Sequence, residues 1–344
     1  MTTTAAVLVE QNKPLEIMDL ELPELKKGQV LVKVEYSGIC RTQVNEILGL
    51  KGPDRFLPHT LGHEGSGVVL STGEGVTKVS VGDHVILTWI KGSGLEQPAT
   101  AYRIGEKIVN SGSISTFLTN TVISENRLIP IPKTISLKEA ALFGCAVPTG
   151  AGIVYNQCDI NPESTVAVFG MGGIGSSVVI ALKVKQPKRI IAIDTQENKR
   201  EWAHKLGADT FINPLQDDLR ATIMELTDGK GVDLAIEAAG VKKVMEDAFE
   251  LTANHGKCVI AGNPPKGQKI EVDPFAFISG KQLIGSWGGG VQPDRDIPKF
   301  LHEFEGVKST LNEMITHEAP LVEINDLISL LRDGKVIRAM VKVS

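Results

Sequence analysis

The stretch Ser164-Thr165-Val166-Ala167-Val168-Phe169-Gly170-Met171-Gly172-Gly173-Ile174-Gly175, with the apolar run that later closes on Asp194, decides the fold of this chain. Residues 164–169 show no polar alternation, as expected of a strand buried on both faces. Gly170, Gly172 and Gly175 follow in G-x-G-x-x-G spacing, with Gly173 among them. Residues 174–186 then read as a helix that stops before Pro187. A helix entered through glycines offers free backbone N–H groups and a partial positive charge, which suit a pyrophosphate. The next strand, 189–194, ends on its acid. Asp194 lies 19 positions past Gly175, where an acceptor for a ribose 2′-hydroxyl is needed. A lone glycine motif is a weak signal. The ordered series strand, turn, helix, strand, acid reads as a dinucleotide-binding unit rather than a glycine turn in an ordinary α/β unit.

Asp194 also selects the cofactor. A carboxylate pairs with two ribose hydroxyls and repels a 2′-phosphate, so the expectation is NAD over NADP. Lys199 and Arg200, a helical turn later, either partly offset that charge or stand as solvated cations.

Length and composition frame this unit. The chain has 344 residues, enough for two domains with separate cores. Hydrophobic content of 42% marks a folded globular chain, and the net charge of −5 speaks against a nucleic-acid footprint. The first residues carry no basic segment, and no apolar run approaches the ~18 residues of a membrane span. The expectation is a cytoplasmic protein. Cys40, Cys145, Cys158 and Cys258 are far apart and form no C-x-x-C, so metal ligation or burial is expected ahead of disulfides.

Three textures follow one another. Residues 1–146 carry short β-type runs broken by Gly and Pro, at 5–9, 29–36, 65–70, 84–88 and 115–122, the pattern of an irregular, mostly antiparallel β domain. Residues 147–288 alternate strand and helix. After the first two strands come 209–212, 233–237, 257–261 and 282–286, with helices over 197–206 and 241–253. Six strands with intervening helices make one doubly wound parallel sheet. From Gly289 onward, amphipathic helices at 297–304 and 324–331 and a last strand at 336–343 are expected. The α/β domain is therefore inserted into the β domain.

Three further blocks carry chemistry. Cys40 lies in Ser37-Gly38-Ile39-Cys40-Arg41-Thr42-Gln43, His63 and Glu64 in Leu61-Gly62-His63-Glu64-Gly65-Ser66-Gly67, and Cys145 in Gly144-Cys145-Ala146-Val147-Pro148-Thr149-Gly150. Two thiolates and an imidazole are the set a tetrahedral zinc uses when its fourth position stays open. Spacing alone does not join them. Taken singly, a cysteine is a small buried hydrophobe, and a histidine beside glycines is a turn or core residue. His59, four before His63, is not taken as its partner, because Gly62 and the β-type context argue against a helix aligning the two.

With Val81-Gly82-Asp83-His84-Val85, Gly262-Asn263-Pro264-Pro265 and Gly334-Lys335-Val336-Ile337-Arg338, these blocks make the chain resemble the zinc-containing alcohol dehydrogenases of the medium-chain dehydrogenase/reductase superfamily. The blocks run in the family's order across nearly the whole chain. The resemblance implies a GroES-like, mostly β catalytic domain over 1–146 and 289–344, a Rossmann NAD-binding domain over 147–288, and a metal in the cleft between them. It implies that Cys40, His63 and Cys145 hold one catalytic zinc. Glu64 is then a close, exchangeable fourth ligand, or a turn charge paired with an arginine. Thr42 would touch the substrate oxygen and start the proton path, or satisfy its own turn. Arg41 and Arg338 would reach the pyrophosphate, or stand as surface cations. Gly170, Gly172, Gly173, Gly175, Asp194 and Lys199 would hold the nucleotide, with Thr149 and Ile174 around the nicotinamide. Trp89, Phe117 and Asn263 would line the alcohol pocket, with core burial as the alternative for the two aromatics.

Departures from the family pattern are specific. The stretch 89–111 contains no cysteine, so no structural zinc is expected. Gln43 stands where relatives carry an aspartate that orients the ligand histidine; an amide accepts a hydrogen bond but adds no charge. Asn45 stands where some relatives end a proton relay in histidine. It cannot titrate, so the proton is expected to leave through water. The expected activity is reversible hydride transfer between an alcohol and NAD, giving an aldehyde or ketone. A polyol or sugar dehydrogenase, a zinc-free NADPH reductase and a non-catalytic nucleotide-binding relative remain as alternatives. The expected partners are a small alcohol or carbonyl substrate and, through the last strand of the nucleotide domain at 282–287, further copies of the chain as a homodimer or homotetramer.

Overall fold

The strand Gln29–Ile39 organises the first of two structural units. Val30, Val32 and Val34 point into the core with no exposed surface, while Lys33 and Glu35 face outward at half burial. This is the period-two pattern of a half-buried strand. It is the shared partner of a seven-stranded sheet: Glu64–Thr72, Asn120–Ser124 and Arg338–Lys342 all pair antiparallel to it. Met340 lies opposite Gly38 and Ala339 opposite Ile39, which brings the C-terminal segment to the start of the chain's first helix. A second set of strands, Thr2–Leu8, Glu16–Glu21, Ala101–Ile104, Lys107–Asn110 and His59–Thr60, closes into a barrel.

The computed structural model describes residues 1–344 and divides them into two units. The first comprises Met1–Ala146, Gln292–Lys299 and Ile315–Ser344; the second comprises Val147–Val291 and Phe300–Met314. Residues 289–291 and 300–314 thus cluster with the nucleotide-type unit, where the sequence placed them in the first domain. The reason is aromatic: Phe300 and Phe304, both fully buried, pack on Tyr155 with ring centroids 5.5 and 6.3 Å away.

The second unit is built on six parallel strands, Thr165–Phe169, Arg189–Ile193, Thr210–Ile212, Val232–Glu237, Thr252–Ile260 and Gln282–Gly285. Taken in chain order, they lie third, second, first, fourth, fifth, sixth. The reversal falls beside the first strand, at whose carboxyl end such sheets bind nucleotides. Thr165–Phe169 is buried throughout, as its apolar run requires. The helix Gly173–Lys185 follows, and Gln186 ends it in a left-handed conformation ahead of Pro187. Trp202, on the helix Arg200–Leu206, donates its indole N–H to Ser176 Oγ at 3.2 Å, fastening that helix to the first.

Several segments differ from expectation. Residues 115–119 are not strand; the ladder begins at Asn120. The N–H groups of Thr116 and Phe117 both donate to Leu61 O, and a chain that spends two donors on one carbonyl cannot continue a ladder. The helix expected over 241–253 stops at Glu250, because Thr252 opens a strand opposite Val232. The helix Leu219–Leu226 carries no glycine or proline signal at its start and is capped by Asp218, whose side chain accepts from Ala221 N–H at 2.9 Å. No single helix is long and apolar enough to cross a membrane.

Gly175 sets the distance between the first helix and the first strand, since a β-carbon there would run into the carbonyl oxygen of Gly170. Gly175→Ala is expected to destabilise the protein by about 2 kcal/mol, seen as a lowered midpoint in denaturant unfolding. A variant that unfolds with the wild type would refute this close approach.

Candidate active site

The thiol and imidazole candidates converge within the first unit. Cys40 occupies the junction where the strand Gln29–Ile39 gives way to the helix Arg41–Ile47. Gly62, in a left-handed conformation, turns the chain into His63 immediately before the strand Glu64–Thr72. Cys145 follows the tight turn Leu142–Gly144, and Gly144 has no room for a β-carbon against Glu64 and Leu87. The ligand atoms of Cys40, His63 and Cys145 all lie within 4.8 Å of one another. His63 Nε2 is buried without a hydrogen-bond partner. The Cys145 thiol first, then His63 and Arg338, hold the Cys40 thiol well below its ordinary value against the opposing cost of burial. Two sulfurs, one of them biased toward thiolate, and a buried imidazole nitrogen with no hydrogen-bond partner fit a soft divalent ion such as zinc.

Glu64 is not among these converging atoms. It is fully buried, and its Oε1 contacts the guanidinium of Arg338, itself only 3% exposed. Its Oε2 accepts from Ala146 N–H at 3.4 Å. Of the two readings of Glu64, the structure favours the arginine-paired charge. Arg338 is buried rather than a surface cation, and its guanidinium faces that carboxylate. Arg41 is exposed, and its Nη1 donates to the carbonyls of Leu331 and Arg332 at 3.4 and 3.1 Å, at the end of the helix Ile324–Arg332. A cation suits that negative helix end.

Around the cluster, Gln43 and Asn45 are buried and Thr42 is half-buried, all on the helix Arg41–Ile47. The Trp89 ring meets His63 edge-on at 6.5 Å between centroids. Phe117 is fully buried in the core with Val32, Val34 and Leu61, so of its two readings the core one holds. A cavity of about 430 Å³ is lined by Gln43, Glu46, His59, His63, Ser111 and Ser113 among others. His59 pairs with other acids: its Nε2 lies 2.7 Å from Asp54 Oδ2 and 4.0 Å from Glu46 Oε1. The trio Glu46, Asp54 and His59 has no spacing signature in the sequence.

In the second unit the glycine turn is preformed. Gly170 adopts φ +93°, with Ala239 close behind it, and its N–H donates to Ile193 O. Gly172 caps the helix Gly173–Lys185 and has open space where a β-carbon would stand, leaving the helix N-terminus, with Gly173 and Ile174, approachable. Asp194 accepts from Met171 N–H at 2.7 Å and from Gln196 N–H at 2.9 Å, and Lys199 Nζ lies 3.0 Å from its Oδ2. Thr149 is buried with its hydroxyl unpartnered, and the adjacent Gly150 lies close against Ile174 O and Ser177. Asn263 is exposed in the loop after Thr252–Ile260. Glu237 was not singled out from the sequence. It closes the fourth strand fully buried, and its Oε1 accepts from the N–H groups of Ala239 and Gly240 at 2.8 and 2.6 Å. Burial pushes its carboxyl up, against those hydrogen bonds. The only sign of it in the sequence was a charge ending an apolar run. A further cavity, about 460 Å³ beside Cys158, opens at the amino ends of the strands, opposite the glycine turn.

Known proteins match this architecture along its length. Residues 26–133 match the family model described as alcohol dehydrogenase GroES-like domain, and residues 173–306 that described as zinc-binding dehydrogenase. An S-(hydroxymethyl)glutathione dehydrogenase from Synechocystis sp. is 35% identical over 99% of this chain and all of its own, and one from Escherichia coli is 34% identical with the same coverage. Among solved structures, benzyl alcohol dehydrogenase from Acinetobacter calcoaceticus is 27% identical with a TM-score of 0.91 over the full length of both chains. An alcohol dehydrogenase zinc-binding domain protein from Burkholderia ambifaria is also 27% identical, with a TM-score of 0.92 over 100% of this chain and 99% of its own.

Removing one member of the buried ion pair strands the other. Arg338→Met is expected to destabilise the protein by about 3 kcal/mol; the unfolding midpoint checks this. An unchanged midpoint would mean that Glu64 is not held by Arg338.

Proposed function

We propose that this chain, which belongs to the zinc-containing alcohol dehydrogenases of the medium-chain dehydrogenase/reductase superfamily, binds one zinc ion and NAD and moves a hydride reversibly between an alcohol carbon and the nicotinamide. The observation that carries the reading is the convergence of Cys40, His63 and Cys145 within 4.8 Å. Those three residues would hold the ion, which supplies Lewis-acid polarisation of the substrate oxygen. NAD supplies the hydride acceptor, held by Gly170, Gly172, Gly173, Gly175 and Asp194.

The protein's own groups then have defined tasks. Thr42, half-buried two residues past the first thiol, takes the hydroxyl proton of the alcohol. Asn45 is an amide and cannot carry that proton on, so water accepts it. Trp89, edge-on to His63, covers one side of the imidazole and keeps solvent from it. Thr149 and Ile174 border the nicotinamide, and Asp194 turns its remaining acceptor capacity to the ribose hydroxyls while keeping Met171 and Gln196. A 2′-phosphate would meet that same carboxylate, which favours NAD over NADP.

The relatives are named for a glutathione adduct and an aromatic alcohol, so the substrate class proposed here is the alcohol rather than one compound. A second reading within the same chemistry, a substrate with an additional hydroxyl, is favoured by Glu46, His59, Ser111 and Ser113 in the cavity beside His63. Self-association through the strand Gln282–Gly285 is part of the proposal. That edge strand has no second neighbour, and Phe275, Ile278 and Trp287 near it are 67%, 78% and 83% exposed.

The purified protein is expected to carry one zinc per chain by elemental analysis. Cys145→Ala is expected to lose it, with NAD-linked turnover of an alcohol panel falling about a thousandfold. Full activity in a zinc-free variant would overturn the metal reading. Asp194→Ala is expected to raise KM for NAD about tenfold or more, and no change would remove its ribose role. Trp287→Glu is expected to shift the sedimentation of the wild-type oligomer toward monomer; a wild type that sediments as monomer contradicts the association.

A further inference from the structure

Gln43 is 2% exposed, and its amide bridges two members of the thiol–imidazole cluster. Oε1 accepts from the backbone N–H of Cys40 at 2.8 Å, and Nε2 lies 2.5 Å from His63 Nδ1. The orientation follows from what each group can do. A backbone N–H only donates, so the amide oxygen must face Cys40. The amide NH₂ only donates, so His63 Nδ1 must accept. A neutral imidazole has one bare nitrogen and one bearing hydrogen, so in this arrangement the hydrogen sits on Nε2. Nε2 is also the ring nitrogen left for the cluster, buried and without a hydrogen-bond partner.

A metal ion needs a lone pair at Nε2, which puts the hydrogen on Nδ1. That hydrogen then points at the amide NH₂, donor against donor. We propose that Gln43 makes metal loading conditional on turning its amide. When the cluster is filled, Oε1 swings to accept from Nδ1–H, and the Cys40 N–H gives up its partner. The inference rests on the zinc reading above and adds a positioning residue that opposes loading. A carboxylate at position 43 accepts from both donors at once and needs no turn. The native amide therefore lowers zinc affinity by about ten- to a hundredfold relative to the Gln43→Glu variant.

Two measurements test this. Long-range ¹H–¹⁵N spectra of ring-labelled protein report which nitrogen of His63 carries hydrogen. The expected result is a bare Nδ1 in the metal-free protein and a hydrogen on Nδ1 after one equivalent of zinc. The same tautomer in both states overturns the proposal. Competition with a chromophoric chelator gives the zinc Kd, expected to be about ten- to a hundredfold lower in Gln43→Glu than in the wild type. An equal or higher Kd also overturns it. A wild type that takes up no zinc defeats the zinc reading itself, and the inference with it. A wild type that binds zinc without a tautomer change defeats only the role of Gln43.

Discussion

The buried contact between Glu64 and Arg338 is the interaction on which the metal-side geometry depends. It joins the strand that follows His63 to the last strand of the chain. Gly38 lies against both charges, with no space for a β-carbon, and Gly144 lies against Glu64. Ala146 donates its N–H to the same carboxylate. The segments that carry Cys40, His63 and Cys145 therefore each rest on one ion pair. Two charges out of water are tolerable only because each neutralises the other and a backbone donor shares the carboxylate. The pair also leaves a guanidinium close enough to favour the thiolate form of Cys40.

The nucleotide unit solves a different problem. Its glycine turn must leave backbone N–H groups open to an anion and still be rigid without one. Asp194 provides the rigidity by gripping Met171 and Gln196 from the neighbouring strand end, with Lys199 balancing its charge. Glu237 does the same from the other side, holding the N–H groups of Ala239 and Gly240 and drawing Ala239 against Gly170. Both acids sit at the carboxyl ends of the strands that flank the first.

Much of this was legible in the sequence where the signal is local. The apolar runs ending at Phe169 and Ile193, the stop at Pro187 and the alternation after Gln29 each require only a few neighbouring residues. The strand 84–88 coincides with His84–Thr88 for the same reason. What was missed or left open depends on distant partners. Nothing around Arg338 reveals that a carboxylate far earlier in the chain will hold its guanidinium. Nothing around Phe117 separates a pocket wall from a core. The burial of Phe300 and Phe304 on Tyr155 is invisible to a helix pattern, so residues 300–314 went to the wrong unit. Glu237 was missed because an acid closing a strand reads equally well as a solvated end.

In the proposed site, two sulfurs and one nitrogen hold the metal. Zinc K-edge X-ray absorption on the zinc-loaded protein examines that coordination directly. The expected first shell contains two sulfur scatterers at about 2.3 Å and lighter atoms at about 2.0–2.1 Å. A shell of nitrogen and oxygen alone, with no sulfur, would contradict it.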